Sequence, residues 1–527
     1  MPEFSLHPID LIIIGIYAVF VIVLGLMFAK KHETAEDYFL AGRSMTWPLI
    51  GFSLFASNIS STTLVGLAGD AYSTGISVYN YEWMAAIVLV FFVIFILPFY
   101  LKSKIFTMPE FLEKRYDNRS REIFSVLTLF LNIVVDTAGS LYAGGLLMKL
   151  IFPTIPMWET IVIIAVIAGI YTIAGGLAAV MYTDVAQAIL LIIGSIIMTI
   201  AALEKVGSWA QVTAVTPPGM LDLVRPLNDP GVPWLGLLTG VPLLGFYFWC
   251  TNQFMVQRVL SAKNVTHGRL GALFAGLLKL PVLFIMVLPG IIARVLYPNL
   301  SNPDLVYPTL IFDLLPAGLL GIVISGFVAA LMSQVDSTLN SASTLITMDF
   351  VKKYKPDLTS EQLMWIGRGF TALFMILAAA WAPEIQNFSS LYKYLQKILS
   401  YAIPPVVSLF LIGIFWKRAN AKGAFITLIS GLSIGAVFFV LIEFLHLFKL
   451  HFLYVAVILF IIAVIIQIVS SLFTKKPDEE KVKQLLWTPA FYKAETQELK
   501  LQPWYVNYRY YSVILIALTA ILVISFW

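Results

Sequence analysis

Cysteine and charge are what this chain has least of. Of its 527 residues only Cys250 is a cysteine, and 12% are charged. A single cysteine excludes an internal disulfide and any cluster of cysteine metal ligands. The five histidines show no metal-ligand spacing, and no nucleophile can be matched with a base. An enzyme therefore has no support in this sequence.

Other absences narrow the function further. The chain has no GxxxxGK[ST] motif, so coupling to ATP hydrolysis is not indicated. Its formal net charge of +4 is too small to suggest nucleic-acid binding. The longest polar stretches, 204–232 and 475–509, are each too short for a soluble domain. We interpret 475–509 as either a plain linker or a helix on the membrane surface.

Apolar residues dominate instead. They make up 59% of the chain, and the mean hydropathy is +0.88. A soluble protein of this length could not bury so much apolar surface, so the bilayer must be its solvent. A spanning helix needs about 20 mostly apolar residues, and such runs recur along residues 1–527, which we treat as one integral membrane domain. The predicted spans are 10–29, 47–69, 79–101, 123–151, 159–176, 180–203, 233–257, 269–297, 316–345, 364–383, 390–416, 423–447, 452–474 and 510–527.

Lysine and arginine are distributed unevenly between the loops. Loops after odd-numbered spans are rich in them, whereas loops after even-numbered spans hold Lys205, Arg225 and Lys449. Lys149 and Arg294, at the far ends of two spans, count against the pattern. The positive-inside rule then places the odd-numbered loops in the cytoplasm. We expect a multi-pass protein of the cell (inner or plasma) membrane with both termini on the non-cytoplasmic side.

The second span carries six hydroxyl or amide residues within Ala56–Thr63. Such side chains can bond to their own backbone and weaken a helix locally, and interrupted helices that line a cavity are typical of secondary transporters. We predict a broken helix whose freed carbonyls can hold a sodium ion. The alternative is that these small hydroxyls only let helices pack closely.

Several ionisable residues lie inside predicted spans, where charge is costly. Glu82 lies about one turn inside the third span, and Lys279 is near the middle of the eighth. A buried glutamate and a buried lysine would relieve each other's desolvation cost in a shared cavity. Asp184 either attracts a cation or caps a helix. Asp136 is deep in the fourth span, and we predict no specific role for it.

Two more spans carry polar strips. Residues 329–341 contain Ser333, Gln334 and Asp336, which offer oxygen ligands of the kind that sodium prefers, or else form a helix face wetted by the cytoplasm. Gln396 in the eleventh span can both donate and accept hydrogen bonds.

Several motifs together resemble the solute:sodium symporter family, most closely its sodium/glucose cotransporter branch. The resemblance runs from about residue 8 to the C-terminus. The motifs are Ala56–Ile59, Tyr81–Trp83, Thr107–Phe111, Gly175–Val180 with Thr183-Asp184, Phe248-Trp249 with Gln257-Arg258, Leu288–Gly290, and Asn340–Thr344 with Met348-Asp349.

The resemblance implies an all-α fold of the leucine-transporter type, with about 14 transmembrane helices. Two inverted five-helix repeats would cover 47–203 and 233–416, after a leading helix (10–29) and before trailing helices (423–527).

The resemblance also implies two sites and an exit path. The family sugar site falls on Asn58, Glu82, Lys279 and Gln396, with Thr63, Phe248 and Trp249 at further positions of the site. The family sodium site falls on the Ala56 and Ile59 carbonyls, Ala330, Ser333 and Gln334, and Asp184 matches an acidic residue near the inner exit path of the ion.

Four departures from the family pattern concern specificity. Phe248 stands where the sugar-stacking gate residue is usually tyrosine, and Gly245 stands at a position that is polar in the family. Thr63 stands where sugar-carrying relatives have histidine or glutamine, and Gln334 where a hydroxyl often ligates sodium.

Together these observations predict a sodium-coupled symporter of a neutral polyhydroxylated solute, either a hexose or a cyclic polyol, working by alternating access. One rival is a symporter of the same fold for amino or organic acids, which Glu82 argues against because it would repel a carboxylate. Another is an uncoupled channel or a sensor on the same fold, and a sensor would normally carry a signalling domain. No protein partner is indicated.

Overall fold

The computed structural model describes residues 6–29, 34–152, 154–387 and 391–527. These residues form helices and no strands, apart from two isolated β-bridges. We number the long helices in chain order, with letters for the parts of a broken helix. They are α1 Pro8–Ala29, α2a Trp47–Asn58, α2b Ser61–Thr74, α3 Ile76–Lys102, α4 Asn118–Lys149, α5 and α6 together Met157–Val206, α7a Trp234–Thr251, α7b Gln253–Leu260, α8a Val265–Leu278, α8b Leu283–Leu296, α9 Leu319–Tyr354, α10 Ser360–Asn387, α11a Leu391–Ala402, α11b Pro404–Phe415, α12 Ala421–Phe444, α13 Phe452–Leu472 and α14 Tyr508–Ser525.

These helices follow the predicted spans closely. Among the described residues ten helices are long and apolar enough to cross a membrane, or up to 13 if each of three bent pairs is one span. The exception is predicted span 159–176, which corresponds to α5. There the apolar helix Met157–Val166 is shorter than a membrane span requires. The multi-pass helical fold is confirmed, whereas the count of fourteen spans is not.

The turn between α5 and α6 depends on a glycine. Gly176 has φ 60° and ψ −178° within an otherwise continuous helical stretch. This backbone conformation is essentially restricted to glycine. The kink separates the two predicted spans 159–176 and 180–203.

α1 is fixed to the bundle by a buried carboxylate. Asp10 is fully buried and accepts hydrogen bonds from the backbone N–H groups of Gly318 (2.7 Å) and Gly321 (2.8 Å). These amides lie at the start of α9 and have no acceptor within that helix. A Cβ on Gly321 would meet the Asp10 Cα at 2.7 Å, so the two helices approach closely. Asp10 thus caps α9 from another helix.

The polar segment 475–509 contains a helix, Pro489–Lys500, as the surface-helix interpretation predicted. Its Glu495 is buried and pairs with Arg269 of α8a and, at 3.0 Å, with Arg509 of α14. These ion pairs attach the segment to the helical bundle.

Candidate functional site

α2 is broken in its middle, as predicted. α2a and α2b meet at an angle of 57°. Ile59 leaves the helical conformation (φ −84°, ψ 83°), and Ser60 begins α2b by accepting a hydrogen bond from the Thr63 N–H at 3.3 Å. The carbonyls of Ala56 and Ile59 accept no hydrogen bond from the described residues. Two unpaired carbonyl oxygens are therefore available at the break.

α9 packs against both halves of α2. Ala330, Ser333 and Gln334 are buried and lie on one face of α9, because residues three and four apart are neighbours on a helix. The Ser333 hydroxyl donates to the Asp184 carboxylate at 2.5 Å, and this leaves the lone pairs of its own oxygen unused. The strip is buried, which argues against a face wetted by the cytoplasm.

A central cavity brings most of the predicted solute-site residues together. Its walls come from α2, α3, α4, α7, α9 and α11. Six of the seven predicted residues line it, and Gln334 of the predicted sodium site lines it as well. The predicted residues at its surface are Asn58, Thr63, Glu82, Phe248, Trp249 and Gln396.

Lys279 is the exception, because it lies behind the cavity wall. It is fully buried and forms an ion pair with Glu82, which does line the cavity. The lysine ammonium also lies 5.7 Å from the Trp249 ring centroid, a favourable position for a cation near an aromatic face. Lys279 therefore neutralises Glu82 and fixes its orientation without being a surface of the cavity itself.

Lys279 lies at the break in α8, from which it reaches Glu82. α8a and α8b meet at 43°, and Lys279 follows the end of α8a. The Tyr79 hydroxyl of α3 donates to the Leu280 carbonyl at 2.8 Å, so the interrupted backbone is partly satisfied by the helix that carries Glu82.

Asn58 and Thr63 offer different hydrogen-bonding capacity to the cavity. The Thr63 hydroxyl donates to the Asn58 carbonyl at 2.9 Å, so its proton is already used. The side-chain oxygen of Asn58 is buried and has no partner among the described residues. A buried amide oxygen without a partner is costly, and a ligand hydroxyl would satisfy it.

Phe248 and Trp249 lie in a single π-helical turn, Tyr247–Thr251, which ends at Asn252 where α7b begins. Their rings pack edge to face with centroids 5.3 Å apart. π-helical turns are rare and often occur at functional sites. This turn directs both aromatic rings toward the cavity.

Asp184 forms a buried ion pair that the sequence did not predict. The Arg258 guanidinium donates to its carboxylate at 3.2 Å, and both side chains are almost fully buried. Arg258 also donates to the Ser53 hydroxyl at 2.8 Å. α2a, α6 and α7b are thereby linked below the break in α2. Arg258 belongs to a family motif identified in the sequence, but nothing in its sequence position predicted that it would pair with Asp184.

Asp136 is the other residue that sequence reasoning left without a role. It lies in a π-helical turn of α4, Asn132–Thr137, and lines the central cavity. Tyr81 and Gly245 also line the cavity. From the sequence, Tyr81 was identified only as part of a family motif and Gly245 only as a departure from the family pattern. Of these three residues, Asp136 could most readily have been predicted as a site residue, because it is an acidic residue deep in an apolar span.

Comparison with known proteins bears on both fold and family. The sequence pattern of the sodium:solute symporter family matches residues 38–431. The chain is 36% identical to sodium/glucose cotransporter 4 of Danio rerio (95% of this chain, 84% of the relative). It is also 36% identical to sodium/glucose cotransporter 1 of Oryctolagus cuniculus (91% and 81%) and to sodium/myo-inositol cotransporter 2 of Homo sapiens (92% and 80%).

Solved structures support the fold. A Na⁺-coupled sialic acid symporter in a substrate-bound outward-open state superposes with a TM-score of 0.79 at 24% identity, covering 90% of this chain and 99% of that one. A transporter of the nucleobase-cation-symport-1 family gives 0.54 at 15% identity, covering 86% and 98%. At these identities the similarity establishes the helical architecture alone.

Proposed function

The chain belongs to the sodium:solute symporter family, and on this premise we propose that it carries a neutral polyhydroxylated solute across a membrane together with sodium. The solute is a hexose or a cyclic polyol, the two classes named for its relatives. The observation that carries the proposal is the convergence of Asn58, Glu82 and Gln396 on one cavity beside the break in α2.

The polar groups of the cavity suit hydroxyl recognition. The free Asn58 oxygen and the Glu82 carboxylate accept hydrogen bonds, and the Gln396 amide both donates and accepts. Phe248 and Trp249 offer apolar ring surface to the C–H face of a sugar. Lys279 supports Glu82 and contributes to solute binding through it.

We propose that sodium binds between α2 and α9. The ligands would be the Ala56 and Ile59 carbonyls, the Ala330 carbonyl, the Ser333 hydroxyl and the Gln334 side-chain oxygen. The support is that both α2 carbonyls lack hydrogen bonds from the described residues and that α9 packs against the break. Because Gln334 also borders the solute cavity, ion and solute would share one wall.

Coupling requires that the two cargoes favour the same conformational state. Sodium would hold α2 and α9 together, and the solute would bind above Phe248 and Trp249. Release to the cytoplasm requires the Asp184–Arg258 pair to separate, which opens the exit path for sodium past Asp184. The membrane potential supplies roughly 2.3 kcal/mol per charge per 100 mV.

We propose that the repeats 47–203 and 233–416 move against each other in this step. Each begins with an interrupted helix, α2 at Ile59 and α7 at Asn252. The charge distribution of the loops favours a cell membrane location (inner or plasma) with both termini outside the cytoplasm.

Uptake into proteoliposomes tests the proposal. Labelled glucose, galactose and myo-inositol are supplied with an inward sodium gradient or with potassium in its place. We expect at least one solute to accumulate only with sodium. Equal uptake under both conditions would leave no basis for coupling. Glu82→Ala and Lys279→Ala should both lose uptake, with Ser325→Ala, a buried hydroxyl elsewhere on α9, as the control.

A further inference from the structure

A second carboxylate, Asp136, lines the central cavity together with Glu82. It comes from the π-helical turn Asn132–Thr137 of α4. Glu82 and Asp136 are the only ionisable acidic residues among the described residues that line the cavity. The proposed function uses Glu82 and leaves Asp136 unexplained.

The two carboxylates differ in their partners. Glu82 is paired with the buried Lys279. Asp136 takes part in none of the ion pairs found within the described ranges. The phenol groups of Tyr247 and Tyr394 are its electrostatic neighbours, but Tyr394 donates its proton to the Val134 carbonyl at 2.8 Å instead.

The charge of the cavity follows from this asymmetry. Glu82 and Lys279 cancel, so an ionised Asp136 leaves the cavity with one net negative charge. An unpaired charge at membrane depth costs several kcal/mol, and an opposite charge brought by a ligand would offset that cost. A neutral sugar cannot supply it, whereas an ammonium group can.

We propose that Asp136 is a specificity residue that favours polyhydroxylated solutes carrying one ammonium group over their neutral counterparts. The inference rests on the proposed function: it keeps a sodium-coupled polyhydroxylated solute in the same cavity, and replaces the expectation that the preferred solute is neutral. The hydroxyl contacts of Asn58, Glu82 and Gln396 would be retained, and the ammonium would lie beside Asp136.

Competition for uptake tests this in the wild-type protein first. Glucose and three aminodeoxyglucoses, with the amine at C2, C3 or C6, compete with whichever labelled neutral solute is transported, at a pH where the amines are protonated. We expect at least one amino sugar to inhibit at a concentration about tenfold lower than glucose, as an added charge contact implies. The N-acetylated form of that amino sugar, which is uncharged, should lose the advantage.

Asp136→Asn then assigns the effect. The ratio of inhibition by the amino sugar to inhibition by glucose should fall about tenfold, whereas Asp304→Asn, the same substitution outside the cavity, should leave the ratio unchanged. The proposal is overturned if no amino sugar is preferred by the wild type, or if the N-acetylated form competes equally well. It is also overturned if Asp136→Asn alters only the sodium dependence, which would assign the carboxylate to an ion.

Failure of the proposed function would look different. It would appear in the same vesicles as uptake of the neutral solute that does not depend on sodium. Loss of the amine preference with sodium dependence intact would contradict this inference alone.

Discussion

Arg258 and Asp184 form a buried ion pair at 3.2 Å that links α7b to α6 below the break in α2. Ser53 of α2a and Ser333 of α9 bond to the same carboxylate. The proposed sodium site therefore lies next to this ion pair, because Ser333 is a proposed sodium ligand and also bonds to Asp184.

Removing one partner of this pair should be costly. Arg258→Ala leaves the Asp184 charge buried without a cation, which typically costs about 3–5 kcal/mol. We expect a clear fall in the thermal unfolding midpoint of the detergent-purified protein, and a smaller fall for the double variant Arg258→Ala/Asp184→Asn. Single-variant losses that simply add in the double variant would mean that the two groups do not interact.

Ser333→Ala should weaken sodium binding more than solute binding. The hydroxyl is a proposed ligand, so the sodium concentration for half-maximal uptake should rise about tenfold, whereas the solute KM at saturating sodium should change little. Ser325→Ala removes a buried hydroxyl two turns earlier on α9 and is the matched control. An unchanged sodium dependence in Ser333→Ala would remove this residue from the ion site.

Asp10→Ala should destabilise the protein without altering solute affinity. It removes the acceptor for the Gly318 and Gly321 amides at the start of α9. Loss of a helix cap costs about 1–2 kcal/mol, measurable as a lower unfolding midpoint. Asp10→Asn keeps a carbonyl oxygen at this position and should lose less. Equal loss in both variants would indicate that the charge, and not the cap, is what matters.

Asp304 lies outside the membrane spans. We expect its carboxyl group to make the stability of the protein depend on pH. Burial raises the pKa of this carboxyl to about 6, although the Leu391 N–H donates to it at 3.3 Å. Since the folded protein holds this proton more tightly than the unfolded chain, stability is greatest at low pH and falls as pH rises from about 4 to about 6.

The loss attributable to Asp304 is at most about 3 kcal/mol. Asp304→Asn cannot ionise, so its unfolding midpoint relative to the wild type should rise between pH 4 and pH 6 and then level off. A constant difference across this range would show that Asp304 does not titrate there.

The features that could be predicted from the sequence are those whose alternatives cost much free energy in a membrane. Helix positions follow from apolar runs because a bilayer leaves few alternatives. The break in α2 could be predicted because six hydroxyl and amide side chains can form hydrogen bonds with backbone groups that the helix would otherwise use. The Glu82–Lys279 pairing followed from the cost of leaving either charge alone.

Side-chain depth and direction could not be obtained in this way. Lys279 was expected at the cavity, but it is buried and pairs with Glu82, which lines the cavity in its place. Arg258 and Asp184 are 74 positions apart, and nothing local in either segment indicates the other. Phe248, Trp249 and Ala330 were identified through family resemblance, since no physical pattern distinguishes them from ordinary apolar helix residues.

The central claim is that sodium and solute bind to sites that share one wall, and reciprocal equilibrium binding measures this most directly. Solute affinity is determined with and without saturating sodium, and sodium affinity with and without saturating solute, in the same purified protein. Thermodynamic linkage requires both affinities to increase by the same factor, and we predict a factor of about ten or more that is lost in Asn58→Ala. Solute binding that is equally tight in sodium and in potassium would contradict the account.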